Sequence, residues 1–97
     1  MNRDYVIICN RHAGKYPGSL LFWGHLTGDR STRCFGGYTS DFERCERYAI
    51  SELEHYPVAG KDVPFCEWRE CADVAIEISR LPETGFKPVT VYMQVQS

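Results

Sequence analysis

The stretch Leu21–Tyr48, LFWGHLTGDRSTRCFGGYTSDFERCERY, decides how this chain is read. It gathers Phe22, Trp23, Phe35, Tyr38, Phe42 and Tyr48 with Gly24, Gly28, Gly36 and Gly37. Large rings gain from burial or a partner, and glycine permits tight turns and close backbone approach. Ser19–Thr27 reads as a strand in which Gly24 marks a bulge or a close neighbour. Gly28–Thr32 reads as a turn, and Arg33–Tyr38 as a shorter strand that closes a hairpin with the first. A helix is expected next. Ser40 and Glu43 have capping-box spacing, and Asp41 adds negative charge to the first turn. Phe42, Cys45, Ala49, Leu53 and Tyr56 follow at helical spacing and end at Pro57, with a break near Tyr48 as the variant reading.

Upstream, Asp4–Asn10, DYVIICN, is β-branched and aromatic and apolar on both sides, which predicts a central strand. Arg11–Gly18 is loop-like. Downstream, Pro57–Asp62 reads as a loop, and a second helix is expected from about Pro64, capped by Asp62. Phe65, Trp68, Ala72 and Ala75 share one helical face. Val74, Ile76 and Ile78 also alternate as a strand would, but the preferred reading carries the helix to about Leu81. Val89–Gln96, VTVYMQVQ, reads as a half-exposed strand. The whole predicts one α+β domain of 97 residues. Its small antiparallel sheet has about four strands, with two helices packed on one face.

Composition narrows the function classes. Apolar residues make up 43% and charged residues 25%, as in a folded globular domain and unlike a disordered one. No apolar run approaches the ~20 residues of a membrane span. The start, MNRDYVIIC, carries a charge pair and no apolar segment of signal-peptide length, which predicts a cytoplasmic protein. Five cysteines, an odd count without regular spacing, predict reduced thiols rather than a disulfide framework. The net charge of −2 gives no global attraction for nucleic acid. It is uneven, however. Residues 1–33 carry five basic and two acidic side chains, and residues 34–97 carry six and eleven.

Several constellations bear on chemistry. A zinc site would draw on His25, Cys34, Cys45, Cys66 and Cys71, with Cys9, His12 and His55 as further ligand types, but the close C-x2-C pair of a tetrahedral site is missing. Buried thiols packed as small hydrophobes are the plainer reading, and no cofactor is expected. A nucleophilic cysteine would need Cys34 beside His25 across the hairpin, and no local signature supports that pair. Glu43, Glu46, Glu52, Glu54, Glu67, Glu70, Asp73 and Glu77 fall where helices should face water. Gly36-Gly37 before a helix start suits an anion but matches neither phosphate-binding fingerprint. Arginines Arg30, Arg33, Arg44 and Arg47 beside aromatic rings would suit single-stranded nucleic acid, although no RNP-type motif is present.

Trp23, Tyr38, Trp68, Tyr92 and the nearby arginines are residue types that dominate protein interfaces. Trp23, Arg30, Arg33, Tyr38, Arg44 and Arg47 are therefore the expected partner-contacting residues. Val89–Gln96 is the expected edge for strand pairing or homodimerisation. No catalytic set emerges, and a non-enzymatic binding protein is the leading expectation.

Leu21–Gly24, Gly37–Asp41 and Tyr48–Leu53 together resemble a loose class of small proteins encoded by phages and mobile elements. Their typical text runs LFWG, then a glycine with GYT and an aspartate, then a tyrosine before a short acidic helix. The resemblance implies an accessory phage protein. Such proteins often inhibit host defence, as anti-CRISPR proteins do, by binding a host protein or ribonucleoprotein complex. DNA-mimicking inhibitors are more acidic than this chain, so steric blocking is the implied mode.

Overall fold

The computed structural model describes residues 2–11, 20–24 and 33–86. Its framework is a four-stranded antiparallel sheet in the order β3-β2-β1-β4. The strands are β1 (Tyr5–Cys9), β2 (Phe22–Trp23), β3 (Tyr38–Thr39) and β4 (Asp73–Glu77). This is the expected α+β class.

β1 is central because YVIIC has apolar side chains to spend on both faces, and Val6, Ile7, Ile8 and Cys9 are all buried. The pairing Val6↔Ile76 and Ile8↔Val74 sets these four residues on one face, with Phe22 opposite Ile8. Ile7↔Ala75 lies on the other face, since strand side chains alternate. Two 3-10 helices, Phe65–Glu70 and Ile78–Thr84, cover the first face through buried Trp68 and Leu81. Residues 48–58 cover the second through Tyr48, Leu53 and Val58. Burying a side chain such as Phe22, Ile8 or Leu81 completely contributes about 1.5–3 kcal/mol. The outer edge of β4 is closed by residues 57–59: the Ala75 N–H donates to Pro57 O at 2.8 Å, and the Ala59 N–H donates to Ala75 O at 2.9 Å.

Four expectations are corrected. The helix expected from Ser40 to Tyr56 is two single 3-10 turns, Phe42–Arg44 and Ile50–Glu52. Asp41 rather than Ser40 caps the first, accepting from the Glu43 N–H at 3.0 Å. Between the two turns the chain is extended, because residues 46–48 prolong the sheet where β2 ends. The Glu46 N–H donates to Trp23 O at 3.3 Å, and Tyr48 and Tyr5 exchange two bonds at 2.8 and 3.0 Å. Tertiary pairing outweighs the helical stripe there. The helix expected to reach Leu81 stops at Glu70, and DVAIE becomes β4. A doubly buried β1 needs a partner on its far side, and the Val74–Ile76 alternation supplies it. The third strand is Tyr38–Thr39 rather than Arg33–Tyr38. Glu46, expected on a solvated helix face, is fully buried.

The expected strand Val89–Gln96, and with it the homodimer edge, lies outside the described residues, as does the turn Gly28–Thr32. No helix of the described residues is long and apolar enough to cross a membrane.

Candidate functional site

On the face covered by residues 48–58, five rings follow one another in contact. Tyr38 meets Trp23 edge-on at 4.9 Å, and Trp23 meets Tyr56 at 6.0 Å. Tyr56 lies parallel to Phe35 at 5.7 Å, and Phe35 stacks on Tyr48 at 4.8 Å. These are the offset and edge-on arrangements that aromatic quadrupoles favour. The β2–β3 register produces the first contact, since Trp23 pairs directly with Tyr38 and both side chains leave the same face. The row runs from exposure to burial: Tyr38 is 38% exposed, Trp23, Phe35 and Tyr56 are half-buried, and Tyr48 is fully buried.

Polar groups fix both ends of this row. At the exposed end, Asp73 accepts from Trp23 Nε1 at 2.8 Å and pairs with Arg11 at 3.1 Å. Arg11 Nη2 also donates to the Tyr38 hydroxyl at 3.3 Å. At the buried end, the Glu46 carboxylate accepts the Cys34 N–H at 2.7 Å and the Phe35 N–H at 2.9 Å. The two inner tyrosines, Tyr48 and Tyr56, are pushed toward their neutral form. Burial raises the Tyr48 hydroxyl well above the usual range, with the Glu46 charge second. Burial, then Asp73, raises Tyr56.

The described residues among the sequence-expected contacts do not form one cluster. Trp23 and Tyr38 stand together at the exposed end of the row. Of the expected arginines, the described ones, Arg33, Arg44 and Arg47, do not join them. Arg33 is buried and donates to Arg47 O at 3.2 Å. Arg47 lies over the Phe42 ring at 4.3 Å and donates to Phe42 O at 2.7 Å and Cys45 O at 2.9 Å, so it braces the 42–47 segment. Arg44 is 81% exposed and pairs with Asp41 at 3.4 Å within its own turn. Arg30 and Tyr92 lie outside the described residues. Trp68 is core.

The described cysteines of the ligand set considered for zinc differ in their surroundings. Cys34 and Cys66 are exposed, Cys71 is half-buried and Cys45 is fully buried. Among the described residues no group of three or more metal-ligating side chains converges. His25 and His12 lie outside the described residues, so the His25–Cys34 pair does too. Cys45 donates its thiol to Phe42 O at 3.1 Å, and burial pushes that thiol up to about 11, although Arg47 pulls the other way. A thiol so placed is protonated at neutral pH, and the nucleophile is the thiolate.

Arg11, Phe35, Glu46, Tyr56 and Asp73 were not singled out from the sequence as contact residues. Only Phe35 carried a signal, as an aromatic beside the glycine pair. Gly37 of that pair serves the hairpin, its carbonyl accepting the Gly24 N–H at 2.8 Å.

Fold and site together define a small α+β domain that presents an ordered aromatic row, exposed at one end and flanked by an arginine–aspartate pair. No family model matches the chain, and no curated protein or solved structure matches it either.

Proposed function

We propose that this chain is a non-enzymatic binding protein that docks a partner protein at the exposed end of its aromatic row. Tyr38, Trp23 and Arg11 form the contact centre. The observation that carries the reading is the Tyr38–Trp23 pair: an edge-on aromatic contact, half open to solvent, whose indole N–H and phenol hydroxyl are already held by Asp73 and Arg11. Tyr, Trp and Arg supply most interface hot spots, because they bury a large area at a small loss of side-chain freedom. Holding them in place before binding reduces the ordering cost.

The phage-like resemblance of Leu21–Gly24, Gly37–Asp41 and Tyr48–Leu53 supplies the biological setting of the proposal. In that setting the protein acts in the cytoplasm of a bacterial host. It inhibits a defence complex, of which a CRISPR effector is the type, by occupying a functional surface. The test is affinity capture from bacterial lysate with and without nuclease, read by mass spectrometry. One dominant protein that persists after nuclease is the expected result. A catch that disappears with nuclease replaces the reading with nucleic-acid binding, whose affinity would fall steeply with salt. An empty catch, with no effect on phage defence in cells, removes it.

A further inference from the structure

We propose that Glu46 is a positioning residue that latches the Cys34–Phe35 turn and thereby seats the aromatic row; the functional value of that row rests on the binding reading above. Glu46 is fully buried, and its two carboxylate oxygens take successive backbone N–H groups, Oε2 from Cys34 and Oε1 from Phe35. Consecutive N–H groups turned toward one buried anion fix the backbone at that turn, which also contains a left-handed residue. The left-handed residue here is Phe35, with φ +52°, and it is the only described non-glycine residue with positive φ. Phenylalanine does not choose that region by itself. Gly37, two residues on, also has positive φ, +78°, but glycine enters that region freely and phenylalanine does not.

The consequence is where the ring goes. From the left-handed turn Phe35 reaches both Tyr48, at 4.8 Å, and Tyr56, at 5.7 Å and 5° from parallel. Tyr56 in turn contacts Trp23, and Trp23 contacts Tyr38. The anchor itself is held in the sheet, because the Glu46 N–H bonds to Trp23 O beyond the end of β2. One buried acid thus ties the strand that carries Trp23 to the turn that carries Phe35. Without the carboxylate, the Cys34–Phe35 backbone loses its anchor, and the Phe35 ring loses its fixed place beside the two tyrosines.

The test needs no partner. In wild-type protein, the Cys34 and Phe35 amides should exchange with solvent at least tenfold more slowly than exposed amides such as those of Ser40 and Glu54. In Glu46→Gln, whose side chain keeps one acceptor oxygen and turns an NH2 group toward the other donor, at least one of those two amides should lose that protection, and the Phe35 ring resonances should lose the upfield shifts that stacking imposes, while β1 and β4 amides keep theirs. Phe35→Leu should keep the amide protection and lose only the ring effects. Wild-type Cys34 and Phe35 amides that exchange like exposed ones overturn the latch whether or not Glu46→Gln folds. So do unchanged Phe35 shifts in a folded Glu46→Gln protein. A latch that passes while affinity capture stays empty overturns the binding reading and leaves the role of Glu46 standing.

Discussion

Gly24→Ala should be among the most damaging small substitutions in this protein, and its effect follows from two separate features. Gly24 has φ +82°, a backbone state that costs an L-residue about 1–2 kcal/mol. A Cβ added there would also lie 2.6 Å from Glu46 Cβ and 2.8 Å from the Tyr48 hydroxyl oxygen. Neither neighbour can retreat easily. Both residues are fully buried, and Glu46 is held by the Cys34 and Phe35 N–H groups. Overpacking of that kind costs a further ~1–3 kcal/mol, so the total is about 2–5 kcal/mol. For a domain of this size each kcal/mol moves Tm by about 4–8 °C, which places the loss at about 8 °C or more. Gly85 is the matched control, with φ +87° and nothing within 4 Å of an added Cβ. Gly85→Ala should show the backbone part alone, about 1–2 kcal/mol. Urea unfolding of both variants measures the difference. Equal losses, or a Gly24→Ala loss under about 1 kcal/mol, would refute the close approach of β2 to Glu46 and Tyr48.

Three further outcomes are expected. Asp73→Asn keeps an acceptor for Trp23 Nε1 and loses only the half-exposed pair with Arg11, so stability should fall by less than about 1 kcal/mol. Asp73→Leu strands the indole N–H and should lose about 1–3 kcal/mol, with a shifted tryptophan emission maximum as the accompanying readout. Glu52 is held below its ordinary value of 4.5, first by the hydrogen bonds from Arg3. Its contribution to stability is therefore present above pH 4.5 and is lost as pH falls through the lower folded-state value. Unfolding of Arg3→Ala followed from pH 7 to pH 2 should show a shallower acid limb than wild type, and identical limbs would contradict the pairing. A thiol-reactive disulfide reagent at pH 8 should modify Cys34 and Cys66 quickly. Cys9 and Cys45 should react only on unfolding, because both are buried and the Cys45 thiol stays protonated at that pH.

Local pattern carried the sheet further than the helices. YVIIC could only be a strand buried on both faces, and the LFWG–GGYT hairpin announced β2 and β3 through its glycines. The helical stripe of Phe42, Cys45, Ala49, Leu53 and Tyr56 was misleading, because the same spacing serves two 3-10 turns with an extended segment between them. What breaks that stripe is the pairing of Tyr48 with Tyr5, a contact across more than forty residues that no short window contains. DVAIE was ambiguous for a related reason: alternation and helical spacing coexist in it, and the need of β1 for a neighbour decides between them.

The site was legible in half. Trp23 and Tyr38 share a hairpin, so the sequence placed them together. Arg11 and Asp73 reach them from the far ends of β1 and β4, and Tyr56 from the loop before Pro57. Charge alone mis-sorted Glu46 and Arg33. Acidic and basic side chains default to solvent, and only the backbone donors of residues 34–35 and the carbonyl of Arg47 give these two a reason to be inside.

The central claim is that partners dock at the exposed end of the aromatic row, and a paired capture experiment tests it most directly. Wild-type protein and a Tyr38→Ala/Arg11→Ala variant are used as baits in the same nuclease-treated lysate, after unfolding curves confirm that both are folded. The account predicts one dominant protein on the wild-type bait, reduced at least tenfold on the variant. The same protein captured equally by both baits would contradict it.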